Sequence, residues 1–125
     1  MMKLLILSLF FTTALFADRF TLENETPFRT IAIQWASSAR MAQESNEALL
    51  QRNPLAVTDL YYPRQSKAAI PIPKNAAYFR VLVWDTAANA LPEFLTNWIE
   101  FIPGKTYLLK KEHLTPLLLI NGMGC

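Results

Sequence analysis

The 125-residue sequence is long enough for one domain, and its 12 basic and 10 acidic residues leave a net charge of only +2. So small a charge argues against long-range attraction to nucleic acid or to an acidic membrane surface. A single cysteine excludes an internal disulfide. One histidine is too few for a typical zinc site, and three glycines are too few for a glycine-rich phosphate loop. A packed core must therefore stabilise the fold.

Residues 1–17 have the pattern of a secretory signal peptide. Lys3 is followed by an almost unbroken apolar run up to Ala17, a small residue suited to cleavage. The run is shorter than the roughly 20 residues that span a bilayer. An uncleaved membrane anchor is the alternative, because Leu15 stands where the peptidase prefers a small residue. We expect a single exported domain at residues 18–125, periplasmic or extracellular, without stable membrane insertion after cleavage.

The first part of that domain is predicted to be a β-hairpin. Residues 19–25 alternate polar and apolar side chains with the period of a strand, and residues 29–36 repeat the pattern after a break at Pro27. Asn24 also begins a glycosylation sequon, Asn-Glu-Thr, which matters only in a host that glycosylates.

Residues 38–52 are rich in Ala, Met, Gln, Glu and Leu, which favour a helix. The sequence Asn-Pro at 53–54 would end it. The predicted inward stripe is thin: Met41, Ala42, Ala48 and Leu49. We therefore expect one short helix or insertion lying over a sheet edge.

Residues 77–85 are predicted to form the central strand, because aromatic and β-branched residues run through them almost without interruption. Phe79 and its alternate neighbours would face one side, and Leu82 and Trp84 the other, with Arg80 as the one charge there. A strand that is apolar on both faces needs cover on both faces.

The remaining segments complete an all-β pattern. Strands are expected at residues 55–62, 93–102, 106–109 and 117–120, with the second and third joined as a hairpin. The prolines of residues 63–73 place that stretch at a sheet edge or in an extended connection. About seven strands at intervals of about ten residues predict a two-sheet β-sandwich, immunoglobulin-like or transthyretin-like in architecture.

Catalytic and metal-binding residues are sparse. His113 stands in a charged turn, and no serine lies in the pattern of a nucleophile elbow. Glu23 and Glu25 could share a cation, but the solvent-exposed face of an amphipathic strand is the better interpretation of this pair. We therefore expect no catalytic site, no metal and no cofactor.

One stretch has the composition of a binding surface. No acidic residue occurs between Asp59 and Asp85, whereas tyrosines and basic residues, the types enriched at interfaces, are frequent there. The predicted binding residues are Tyr61, Tyr62, Arg64, Lys67 and Lys74. Half-buried rings and ordinary loop charges are the alternative interpretation.

Cys125 ends the sequence and has no internal partner, so in an oxidising compartment it could form an intermolecular disulfide and a homodimer. An incidental free thiol is the alternative.

Taken together, these features predict an exported, non-enzymatic binding module that engages a partner protein in the bacterial envelope or outside the cell. An inhibitor of a secreted hydrolase, presenting the loop at residues 63–73, is the alternative. A small secreted enzyme is the third choice.

Overall fold

A computed structural model describes residues 18–53, 59–86 and 91–117. One helix, α1, spans Ala39–Leu50, and a 3-10 turn spans Lys111–His113. The strands are β1 (Arg19–Asn24), β2 (Thr30–Ala36), β3 (Lys67–Pro71), β4 (Tyr78–Trp84), β5 (Phe94–Leu95), β6 (Ile99–Glu100), β7 (Thr106–Leu109) and β8 (Thr115–Pro116).

The strands form two sheets, which confirms the predicted two-sheet β-sandwich. The smaller sheet has the order β3-β1-β7, with β3 antiparallel and β7 parallel to β1. The larger has the order β2-β4-β5-β8, and β6 also pairs with β4. β4 therefore lies in the middle of the larger sheet, as its continuous apolar run predicts, with Gln34 of β2 directly opposite Arg80.

The main core lies between the two sheets. Phe20 of β1 packs against Phe79 of β4 with ring centroids 4.5 Å apart, and the two side chains are 1% and 0% exposed. The other buried members of this cluster are Leu22, Ile31, Ile33, Ile70, Val81, Val83 and Leu109. The inward faces of β1, β2 and β4 are those that the period-two pattern predicts.

A second core covers the outer face of the larger sheet. Leu82 and Trp84 of β4 pack there with Leu49 of α1, so the central strand is covered on both faces. The helix begins at Ser38, whose hydroxyl accepts a hydrogen bond from the Met41 N–H. Ala42 and Leu49 of the predicted inward stripe are buried. The prediction that Met41 also faces inward is wrong, because its side chain is 47% exposed.

The predicted hairpin of the first two strands does not form, because β1 and β2 belong to different sheets. The connection is a tight turn built by Asn24, whose side-chain oxygen accepts from the Thr26 N–H and whose amide donates to the Phe28 carbonyl. This turn carries the chain across the sandwich, so the apolar faces of the two strands meet between the layers.

The predicted strand at residues 93–102 is interrupted. It forms only the short strands β5 and β6, because the Thr96 side chain accepts a hydrogen bond from the Val81 N–H, which the backbone ladder would otherwise use. The predicted hairpin with residues 106–109 also fails: β6 pairs in the larger sheet and β7 in the smaller. Gly104, at φ +83°, lies in the turn between them.

Four sequence predictions fall wholly or partly outside the described residues. They are the signal peptide at 1–17, the strand at 55–62 up to residue 58, the closing strand beyond Leu117, and Cys125. Within the described ranges, α1 is too short and too polar to cross a bilayer, and no other helix has the required length.

Candidate functional site

A cleft of about 450 Å³ opens on one side of the sandwich, where both sheets contribute to its lining. Its floor consists of core side chains, among them Phe79, Val81 and Leu109. Leu108 of β7 lies on one side of the cleft, and Asn97 and Ile99 line it from the larger sheet. The cleft therefore gives access to the edge of the main core.

Strand β7 borders this cleft and is the last strand of its sheet. The carbonyls of Lys105 and Leu109 accept hydrogen bonds from the N–H groups of Thr21 in β1 and Glu25 just beyond it, at 2.9 and 2.8 Å. Because backbone groups alternate in direction along a strand, those of Leu108 point away from β1. The Leu108 side chain is 43% exposed. An edge that no other described strand pairs with thus lies beside an apolar floor.

His113 and Glu112 lie at the rim of the cleft. The Lys110 backbone N–H donates to His113 Nδ1 at 3.1 Å, so the neutral ring carries its proton on Nε2. Within the described ranges no carboxylate orients this ring as a catalytic base requires, and no three His, Cys, Asp or Glu residues are grouped to hold a metal. The rim offers hydrogen-bonding groups to a ligand.

A second polar centre lies on the outer face of the larger sheet, around Arg80. This side chain is 1% exposed. Its Nε donates to Gln34 Oε1 and its Nη1 to Asn46 Oδ1, each at 2.7 Å, and its guanidinium carbon lies 4.4 Å from the centroid of the Trp98 ring. Nη2 is buried, and no described residue forms a hydrogen bond with it. The sequence identified Arg80 only as a lone charge on an apolar face, and that was the one signal of this centre.

The predicted binding residues lie in several different places on the sandwich. Tyr61 is half-buried and pairs with Ile33 of β2 through two backbone hydrogen bonds. Tyr62 is 55% exposed, and its ring centroid lies 6.3 Å from that of Trp84. Arg64 lines a cleft of about 480 Å³ near the turn between β1 and β2.

Lys67 and Lys74 lie on either side of β3. Lys67 is the first residue of that strand, not a loop residue, and its register partner on β1 is Glu23. Lys74 lines a shallow cleft with Trp35 and Met41, beyond the other end of β3. The expected position at a sheet edge is confirmed, because β3 is an edge strand, but Arg64 and Lys74 line different clefts.

No family model, curated protein or solved structure matches this chain.

Proposed function

We propose that the protein is an exported, non-enzymatic binding module that takes up an extended segment of a partner protein along β7. Adding a strand to a sheet edge is a general way to bind a peptide: backbone hydrogen bonds supply affinity, and pockets for alternate side chains supply specificity. The export part of the proposal is supported by the signal-peptide pattern of residues 1–17.

The observation that carries the proposal is the contrast between β7 and the other outer strands. Exposed edges are usually protected by lysine, proline, short length or a covering segment. Strand β3 contains Lys67 and Pro71, β6 and β8 are two residues each, and β2 is bridged by Tyr61. Strand β7, with the sequence Thr-Tyr-Leu-Leu, contains no lysine or proline, and no other described strand pairs with its outer side.

The chemistry of the cleft indicates the partner segment. The apolar floor of the cleft favours a partner segment with an apolar side chain at every second position, because alternate side chains of a strand point to the same face. Lys105 and Lys110 are exposed immediately before and after β7. Acidic residues at the ends of the segment would meet these charges, so we expect association to weaken as salt rises.

Panning a library of random peptides of about ten residues against the purified protein tests this mode of binding. We expect enriched peptides to alternate apolar and polar residues. Leu108→Pro removes an outward N–H that β1 does not use, so we expect peptide affinity to fall at least about tenfold while the unfolding midpoint stays close to that of the native protein.

Leu108→Thr is the matched control, because it shortens the same side chain but keeps the N–H. It should retain most of the affinity. Equal binding by the proline variant, or enriched peptides without alternation, would show that β7 is not the docking edge. In extracts of the export compartment, the native protein and Leu108→Thr should capture a native partner, and Leu108→Pro should capture much less of it.

Export is tested by the intact mass of the protein recovered from its native host. We expect the mature chain to begin at or within a few residues of Asp18, because the apolar run ends at Ala17. A full-length mass in the membrane fraction would identify residues 1–17 as an anchor instead.

Inhibition of a secreted hydrolase is the second candidate. Five residues of the segment that would be presented, Lys67–Pro71, are paired with β1, which leaves a shorter free stretch before them. A panel of secreted hydrolases assayed with and without the protein separates the two proposals, and turnover in the same panel would instead indicate an enzyme.

A further inference from the structure

Two hydrogen-bond donors of the larger sheet converge on one oxygen supplied by the helix. Arg80 Nη1 and Trp98 Nε1 both donate to Asn46 Oδ1, at 2.7 and 3.1 Å. Asn46 is an exposed residue of α1, whereas the guanidinium beneath it is buried. The donors are thus fixed by the sheet, and the acceptor stands between them and solvent.

The charge of Arg80 has no anionic partner in the described part of the chain. Its two acceptors, Gln34 Oε1 and Asn46 Oδ1, are neutral amide oxygens. All ten acidic side chains of the sequence lie within the described ranges, and no ion pair between any of them and Arg80 is found there. A buried charge in such surroundings is costly, and an anion that reached it would be strongly attracted.

We propose that Arg80 and Trp98 form a binding site for a carboxylate, which enters by displacing the Asn46 side chain. One carboxylate oxygen takes the position of Asn46 Oδ1 and accepts from Arg80 Nη1 and Trp98 Nε1. The other oxygen reaches Arg80 Nη2, which has no partner at present. The two guanidinium nitrogens then bind the carboxylate in the bidentate geometry that arginine favours.

Displacing Asn46 requires little rearrangement of the fold. The residue is exposed, and α1 buries only Ala42 and Leu49 against the sheet. A rotation of the Asn46 side chain is enough to uncover Arg80 Nη1, and the amide regains hydrogen bonds from water. The ring of Trp98 remains stacked on the guanidinium and shields the ion pair from solvent.

Acetate titration followed by NMR tests the site, with the Arg80 Nε–H and Trp98 Nε1–H signals as reporters. We expect saturable shifts of both in the native protein. Asn46→Ala removes the competing oxygen and should bind acetate at least about tenfold more tightly. The indole signals of Trp35 and Trp84 should stay unchanged, and chloride at equal ionic strength should give no saturable response.

Asn46→Asp is the matched variant of nearly equal shape. Its own carboxylate should occupy the site, so acetate should produce no shift. Because two donors favour the charged form, the introduced carboxyl has a folded pKa below its unfolded value of about 4. Its extra stability is therefore present at neutral pH and lost as the pH falls below about 4, which thermal unfolding at both pH values measures.

The source of the carboxylate is decided by a second ligand, a short peptide with blocked ends and one aspartate. Binding of both ligands assigns the site to an acidic side chain of a partner, and binding of acetate alone assigns it to a small free acid. If Asn46→Ala shows no saturable acetate shift, or Asn46→Asp responds as the native protein does, the proposal is wrong.

Discussion

Replacing Phe79 by alanine is expected to lower the free energy of unfolding by about 3–5 kcal/mol, the usual loss for a large buried aromatic side chain. Phe79 is 0% exposed and lies on the central strand. The centroid of its ring lies 4.5 Å from that of Phe20 in β1 and 5.3 Å from that of Tyr107 in β7. The substitution therefore opens a cavity between the two sheets. Denaturant unfolding measures the loss.

Two comparison variants show whether the loss depends on burial. Trp84→Ala, on the opposite face of the same strand and 7% exposed, should also cost about 3–5 kcal/mol, because that side chain closes the second core. Tyr62→Ala, 55% exposed, should cost less than about 1 kcal/mol. A loss below about 1 kcal/mol for Phe79→Ala would contradict the assigned core.

The central strand could be predicted because local sequence determines it. A run that is apolar on both faces apart from Arg80 needs cover on both faces, and β4 spans Tyr78–Trp84, within the predicted residues 77–85. The helix was predictable for a similar reason, since α1 lies within residues 38–52 and ends before Pro54.

Strand pairing could not be predicted in the same way. Period two tells which side chains share a face, but it does not tell which sheet receives the strand. Residues 19–25 and 29–36 have the alternation of a hairpin, yet the turn at Asn24 carries the second strand to the other layer. Arg80 and its partners were hidden for another reason: Asn46 and Gln34 are 34 and 46 residues away in sequence.

The second large expected effect is a gain in stability. Replacing Arg80 by methionine together with Gln34 by leucine should raise the free energy of unfolding by about 1–4 kcal/mol, as apolar replacement of a buried polar group often does. Burial lowers the pKa of Arg80 to about 10, and a shift of that size corresponds to roughly 3 kcal/mol of unfavourable burial of the charge at neutral pH. Methionine keeps the length of the side chain without that cost.

One single variant and the choice of neutral pH provide the controls. Gln34→Leu alone should destabilise by about 1–3 kcal/mol, because Arg80 Nε then loses its buried acceptor. Because burial lowers the pKa of Arg80 but the guanidinium stays protonated at neutral pH, the cost of the buried charge is present at pH 7, where the variants are compared. If the double variant is less stable than the native protein at pH 7, the amide contacts and the Trp98 ring compensate fully for burial of the charge. Arg80 would then attract a carboxylate only weakly, which would also contradict the proposed carboxylate site.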